Sequence, residues 1–119
     1  MAVSLEELSK ALVALEGALT VEKTDITRDA SIQRFEFCVE LSWKSAKKVM
    51  GTSTSAPKQV IREMAQNGFI NDVDFWLKAI DQRNLSSHTY NETLAEEVFA
   101  FAASFLNPAK QLLEKLQAQ

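Results

Sequence analysis

The segment Val73–Tyr90 reads VDFWLKAIDQRNLSSHTY and joins an apolar helical stripe to a polar end. Its first eight residues place apolar side chains at helical spacings of three and four: Val73, Trp76, Leu77 and Ile80. If the helix continues, Asn84 and Ser87 occupy the same core-facing stripe. Buried polar groups without a partner cost about 1–3 kcal/mol each. The polar end therefore indicates a function beyond stability.

The polar end contains the only histidine, His88, and the only tyrosine, Tyr90. On a continuous helix Arg83 and His88 would lie about 140° apart and would not reach one point. For them to act together, the helix must end between them or a second copy of the chain must supply one of them. A two-fold dimer is the simple form of the second solution.

Other pairs in the segment would share a side of that continuous helix. Arg83 and Tyr90 are seven residues apart and fall on one edge of the stripe. Asp81 and His88 fall on the other edge, and Asn84 lies one turn before His88. We therefore expect Asn84 to share a face with the histidine.

These residue types suffice for cleavage of RNA without a metal ion. Histidine takes and gives protons near neutral pH, and arginine binds phosphate oxygens. His88, Arg83 and Asn84 are therefore catalytic candidates, and Asn84 would either orient the imidazole or donate to the phosphate. Ser87 and Asp81 are supporting candidates. The alternative is structural: His88 caps helix carbonyls, and Arg83 pairs with Asp81 or with a glutamate of the next helix, Glu92.

Composition limits the class of protein. The chain has 119 residues, three glycines, two prolines and a net charge of −3. These numbers favour one globular domain over residues 1–119 and disfavour a β-rich, disordered or broadly basic protein. One cysteine and one histidine cannot form a usual zinc site within one chain. No glycine-rich phosphate loop is present, so we expect no cofactor and no metal.

The ends and apolar runs bear on location. The first residues are acidic and lack the long apolar core of a secretory signal. The longest apolar run, Val98–Ala103, is far too short to span a bilayer. We expect a cytoplasmic protein that does not enter a membrane.

Periodicity predicts an all-α, up-and-down bundle of four to five helices. The expected helices cover residues 5–21 and 30–50, and three more begin near 57, 72 and 89 or 91. A Ser4–Glu7 capping box is predicted to start the first helix and Asp29 to cap the second. Asn71 or Asp72 would cap the fourth.

The last helix has two features of its own. Pro108 is expected to kink or break it. Phe99 and Leu106 widen its apolar stripe, which indicates burial on two sides and hence a subunit interface.

Two further groups of side chains have structural interpretations. Trp43, Trp76 and Cys38 lie in apolar patterns and are expected in the core. A basic face carries five cations: Lys44, Lys47, Lys48, Lys58 and Arg62. This face is interpreted as solvated, the alternatives being a site for an acidic partner or for a phosphate backbone.

Several segments resemble a known family. Residues 83–90, RNLSSHTY, match the R-x4-H motif of HEPN domains and its longer form R-x4-H-x-Y. Residues 34–44, RFEFCVELSWK, are similar to the second-helix signature of the nucleotidyltransferase substrate-binding branch of these domains. Residues 57–63 and the pair Trp76-Leu77 resemble it as well, so the likeness covers about residues 5–117.

The resemblance implies a function and partners. It implies a homodimer or larger homo-oligomer that works with a minimal nucleotidyltransferase of polymerase-β-like fold. In the toxin–antitoxin form of such pairs, the HEPN member is a metal-independent endoribonuclease. Arg83 and His88 would then be catalytic across the dimer, and the nucleotidyltransferase would add AMP to Tyr90.

Two other functions stay open. The chain would be a scaffold that presents a nucleotide or another substrate to the nucleotidyltransferase, or a helical interaction domain without a site.

Overall fold

The computed structural model describes residues 4–119, which form five α-helices and no strand. The helices are α1 (Glu6–Thr20), α2 (Asp25–Met50), α3 (Pro57–Gln66), α4 (Val73–Leu85) and α5 (Glu92–Gln117). A 3₁₀ turn over Ser86–His88 follows α4. The predicted all-α bundle is confirmed.

The second helix begins earlier than the sequence pattern predicts. Thr24, not Asp29, is its N-cap, because Thr24 and Thr27 cap each other. The Thr27 N–H donates to Thr24 Oγ1 at 3.1 Å, and the Thr24 N–H donates to Thr27 Oγ1 at 2.7 Å. Asp29 instead accepts from Arg28 Nε at 3.1 Å within the helix. Two reciprocal hydrogen bonds to backbone donors outweigh a single aspartate cap.

The first helix also starts differently. Its N-cap is Leu5, which makes no side-chain capping bond, so the expected Ser4–Glu7 capping box is wrong. Leu5 is partly buried against the core at this point. The predicted cap of α4 is correct, since Asp72 accepts from the Phe75 N–H at 3.0 Å. Gly51 ends α2 with a φ of 70°.

The last helix runs unbroken through Pro108, so the proline does not break it as a proline in a helix interior often does. Proline in a helix interior costs about 3 kcal/mol. The helix is nevertheless buried on both sides of this residue, at Phe105 and at Ala109 and Leu112. Packing along its whole length therefore holds it together.

The breadth of the apolar stripe on α5 is explained within one chain. α5 packs against α1, α2 and α4, and Phe99 and Leu106 are partly buried against this core. Packing within one chain therefore covers part of each side chain, and the expected subunit interface stays a prediction.

A cluster of aromatic rings fixes α4 between α2 and α5. Phe35 of α2 meets Phe105 of α5 edge to face, with ring centroids 5.3 Å apart. Trp76 of α4 meets the same ring at 5.1 Å, and Phe75 stacks on Phe101 at 5.0 Å. Such pairs contribute about 0.5–1.5 kcal/mol each beyond burial. The cluster holds rigid the helix that carries the polar motif.

The residues expected in the core are there. Trp43, Trp76 and Cys38 are buried. Burial raises the pKa of the Cys38 thiol to about 12, so this side chain is a packing residue and not a nucleophile at neutral pH. Within residues 4–119, no helix is both long and apolar enough to cross a membrane.

Candidate functional site

The polar motif lies where α4 ends. The α-helix stops at Leu85, between Arg83 and His88, and the next three residues form a 3₁₀ turn. The helix therefore ends between the two residues, as one of the two predicted alternatives requires. Among the described residues no contact joins Arg83 to His88, so the other alternative, a second copy of the chain, stays a prediction.

Three hydroxyl groups bond to backbone carbonyls where the helix tightens. The hydroxyls of Ser86, Ser87 and Thr89 each donate to the carbonyl three residues earlier, at 2.5, 3.0 and 3.0 Å. The last carbonyls of a helix have no intrahelical donor, and these side chains supply one. The hydroxyl of Ser87 is therefore engaged in closing the turn.

Arg83 points across to α2. Its Nε donates to Oε1 of Glu40 at 3.2 Å, and its Nη1 lies 3.7 Å from Oε2 of Glu36. The arginine side chain is 30% exposed, so solvent still reaches the pair. The structural alternative in which Arg83 pairs with Asp81 or Glu92 is wrong, because both acids bind other cations.

Those cations are Lys58 and Arg28. Lys58 Nζ lies 2.7 Å from Asp81 Oδ1 and joins α3 to α4. The guanidinium of Arg28, only 3% exposed, donates to Glu92 Oε2 at 2.7 Å and to Glu96 Oε1 at 3.1 Å. These carboxylates raise the pKa of Arg28, so a permanent positive charge joins α2 to α5.

His88 and Tyr90 come together on the surface. Both side chains are exposed, Tyr90 at 86%, and their rings meet edge to face with centroids 6.1 Å apart. The expectation that Tyr90 lies beside Arg83 on one helical edge is wrong, because the α-helix ends before Tyr90. The tyrosine contacts the histidine instead.

Asn84 does not have the predicted position. It is exposed, as is Ser87, and no described contact joins Asn84 to His88. Buried polar side chains do occur at this end of α4, but they are Gln82 and Ser86. The core-facing stripe of α4 turns polar as predicted, though through different residues. The core-facing side of the helix is rotated slightly from the predicted one, so that Gln82 and Ser86 are buried.

Sequence reasoning missed three residues here. Gln82 donates through Nε2 to Glu97 Oε2 at 2.9 Å, and its Oε1 is buried without a partner among the described atoms. Glu36 and Glu40 hold Arg83. The signal for the two glutamates is their i,i+4 spacing. Glu40 also lies 3.5 Å from Lys44.

The fold and sequence are those of a known family. The family model described as "Nucleotidyltransferase substrate binding protein like" matches residues 3–118. The chain belongs to this family, which confirms the resemblance to the nucleotidyltransferase substrate-binding branch of HEPN domains.

One similar curated protein is the "Probable ribonuclease HepT" of Haemophilus influenzae, 35% identical over 95 residues. The match covers 73% of this chain, and the chain spans 65% of the length of that relative.

Two solved structures have the same fold. A crystal structure from Thermus thermophilus superposes with a TM-score of 0.85 and 34% identity, covering 92% of this chain and 98% of that one. A protein from Haemophilus influenzae superposes with a TM-score of 0.84 and 29% identity. Its structure is described as revealing the fold of a substrate binding domain of a nucleotidyltransferase. That match covers 96% of this chain and 99% of the other.

Proposed function

We propose that the chain is the HEPN-type partner of a minimal nucleotidyltransferase and that it cleaves RNA with Arg83 and His88, without a metal ion. The observation that carries the proposal is the end of α4 between these two residues. It leaves the imidazole exposed on a short turn, where it can meet a substrate, while the arginine stays on a packed helix. Similarity to a protein named as a probable ribonuclease supports the same reaction.

The chemistry needs two proton transfers, one from the 2′-hydroxyl and one to the leaving 5′-oxygen, and one charge stabilisation. His88 carries out one of the two transfers and solvent water the other. The 2′-oxygen of RNA attacks the adjacent phosphorus, the bond to the 5′-oxygen breaks, and a 2′,3′-cyclic phosphate remains. His88 takes the 2′-hydroxyl proton or protonates the leaving 5′-oxygen. Arg83 stabilises the negative charge on the phosphoryl oxygens. Of its five N–H donors, only Nε–H is hydrogen-bonded within residues 4–119, to Glu40, so the remaining donors can bind the phosphoryl oxygens.

A homodimer or larger homo-oligomer is part of this proposal. Arg83 is directed toward α2 of its own chain, whereas His88 lies on the exposed turn. A symmetric pair that faces two such turns would bring the arginine of one copy near the histidine of the other.

The partner is proposed from the family. Because relatives are described as substrate-binding proteins of a nucleotidyltransferase, we expect this chain to bind a small nucleotidyltransferase of polymerase-β-like fold in a toxin–antitoxin-like pair. Tyr90 is the proposed site of AMP addition, and its high exposure makes the phenol accessible. An adenylyl group there would lie beside His88.

The test is RNA cleavage in the presence of EDTA. The wild type is compared with His88→Ala, Arg83→Ala and a control, Lys78→Ala, which replaces an exposed cation elsewhere on α4. All four chains are first checked for native helicity and unfolding midpoint. We expect cleavage by the wild type and the control and its loss in the other two. Full activity in His88→Ala would exclude this site.

One observation favours a second function, that of a substrate-presenting scaffold. Arg83 is already paired with two carboxylates in the single chain, which is a sufficient structural role. In that case His88→Ala would leave both assembly with the nucleotidyltransferase and nucleotide transfer intact, and the wild type would not cut RNA.

A further inference from the structure

The charges of this acidic chain are strongly segregated. Residues 41–62 contain five of the 13 lysines and arginines and none of the 16 aspartates and glutamates. The rest of the chain therefore carries a net charge of −8. The five cations are the Lys44, Lys47, Lys48, Lys58 and Arg62 of the basic face, on the second half of α2 and on α3.

The basic face is continuous with the candidate site. Glu36, Glu40 and Lys44 follow one another at intervals of four residues on α2, so they lie on one edge of the helix, and Lys47 and Lys48 extend that edge by one turn. Glu40 touches Arg83 at 3.2 Å and Lys44 at 3.5 Å. The lysines thus begin one helical turn beyond the arginine's partner, and Lys48 lies about 12 Å further along the axis than Glu40.

The third helix flanks the same end of the motif. Lys58, in its first turn, lies 2.7 Å from Asp81, two residues before Arg83. Lys47, Lys48 and Arg62 make no ion pair within 4 Å among residues 4–119. Three of the five cations are therefore not neutralised by the described part of the chain.

The side chains of the basic face favour a polyanion over a folded protein as the binding partner. Protein interfaces are depleted in lysine and are anchored by aromatic and apolar side chains. In residues 4–119 the exposed large apolar side chains all lie outside 41–62: Val13, Val21, Ile26, Phe37 and Tyr90. Lysines on a surface without exposed large apolar side chains bind phosphates as point charges and position a backbone without reading bases.

We propose that the basic face binds the phosphate backbone of the RNA next to the nucleotide cleaved at Arg83 and His88. The inference rests on the proposed function, since it names where that site's substrate continues. The strand runs from the motif turn along the edge of α2 toward its C-terminus, and Lys47 and Lys48 neutralise two of its phosphates. Binding is therefore insensitive to sequence and sensitive to salt.

The experiment measures RNA affinity against salt concentration. The His88→Ala chain, which leaves RNA uncut, is titrated into a fluorescein-labelled oligouridine, and anisotropy gives Kd at several salt concentrations. The same is done with Lys47→Gln and Lys48→Gln added together. A matched control adds Lys10→Gln and Lys78→Gln, which change the net charge equally at exposed positions of α1 and α4.

Each neutralised phosphate of a single strand contributes about 0.7 to the slope of log K against log salt. We expect the Lys47/Lys48 pair to lower that slope by about 1.4 and to weaken binding severalfold at low salt, with no change in slope for the control pair.

Three results would overturn the inference. Equal losses of RNA affinity in both double variants would show that the effect comes from net charge alone. An unchanged slope in the Lys47/Lys48 variant would assign the contact elsewhere, and if the wild type still cleaves RNA, the proposed function stands without this surface. No RNA binding by any variant would leave the face solvated or bound to an acidic partner protein.

Discussion

The Nε of Arg83 donates to Oε1 of Glu40 at 3.2 Å, across the contact between α4 and α2. A phosphate group that approaches the arginine must compete with this carboxylate and with that of Glu36. The side chains of the pair are 30% and 33% exposed, so solvent screens the interaction and its loss should cost only about 0–1 kcal/mol of stability. The contact therefore positions the arginine side chain but is weak enough for a phosphate group to displace it.

Glu40→Gln should strengthen RNA binding, because it removes the negative charge that competes with phosphate for Arg83. Measured by anisotropy in the His88→Ala background, we expect Kd to fall severalfold. Glu114→Gln, which removes one exposed carboxylate near the end of α5, is the control for net charge. Weaker binding in Glu40→Gln than in Glu114→Gln would mean that the glutamate orients the arginine for the substrate.

Gln82→Ala should destabilise the fold. Gln82 is only 4% exposed and joins α4 to α5 through its bond to Glu97. Loss of this partly buried hydrogen bond and of buried side-chain volume should lower the free energy of unfolding by about 1–3 kcal/mol. Urea denaturation measures the change, and Gln33→Ala at an exposed position of α2 is the comparison. Equal midpoints for the two variants would contradict the role given to Gln82.

Stability should fall with acid through the network around Arg28. Hydrogen bonds from Lys23 and then from Arg28 lower the pKa of Glu96 below its ordinary value of 4.5. Unfolded chains then bind a proton that native chains do not, so the free energy of unfolding decreases as pH falls from 4.5 through the folded pKa.

Glu96→Gln is the variant that tests this acid dependence. It should be less stable than the wild type at neutral pH and should lose less stability on acidification. Urea denaturation at a series of pH values gives both results. Parallel curves for the variant and the wild type would show that Glu96 does not contribute to the acid dependence.

Tyr90 should be the residue that the nucleotidyltransferase modifies. After co-expression with such a partner, peptide mass spectrometry should find the mass of one AMP on the peptide with Tyr90, and Tyr90→Phe should remove it. The phenol is 86% exposed, so the substitution should leave the unfolding midpoint almost unchanged. A modified serine or threonine in the Tyr90→Phe chain would assign the acceptor to another side chain.

The helices could be predicted because their signals are local. Apolar spacing, Gly51 after α2, Pro57 at the start of α3 and Asp72 before α4 act within a few residues of where they stand. Two of these predictions failed because a stronger interaction competed with the predicted one. Thr24 and Thr27 outcompete Asp29 by forming two capping bonds, and burial of α5 around Pro108 outweighs the preference of proline for a helix end.

The site was less predictable because its contacts are between helices. The residue types Arg83 and His88 were evident in the sequence, but the arginine's partners lie 43 and 47 positions earlier on α2. At the end of α4, three hydroxyls donate to carbonyls and the chain continues as a 3₁₀ turn. The same kind of bond, from Ser104 to Phe101, lies within the unbroken α5, so residue type alone does not mark where an α-helix ends. The 3₁₀ turn placed Tyr90 beside His88 and not beside Arg83.

The central claim is that His88 moves a proton during attack by the RNA 2′-hydroxyl. The most direct measurement compares cleavage of an RNA with that of the same strand carrying a 2′-deoxyribose at the cleaved position, in EDTA, by wild type and by His88→Ala. We expect cleavage only of the all-ribose strand by the wild type, with a 2′,3′-cyclic phosphate among the products. Cleavage of the deoxy-substituted strand at the same rate, or undiminished cleavage by His88→Ala, would contradict the account.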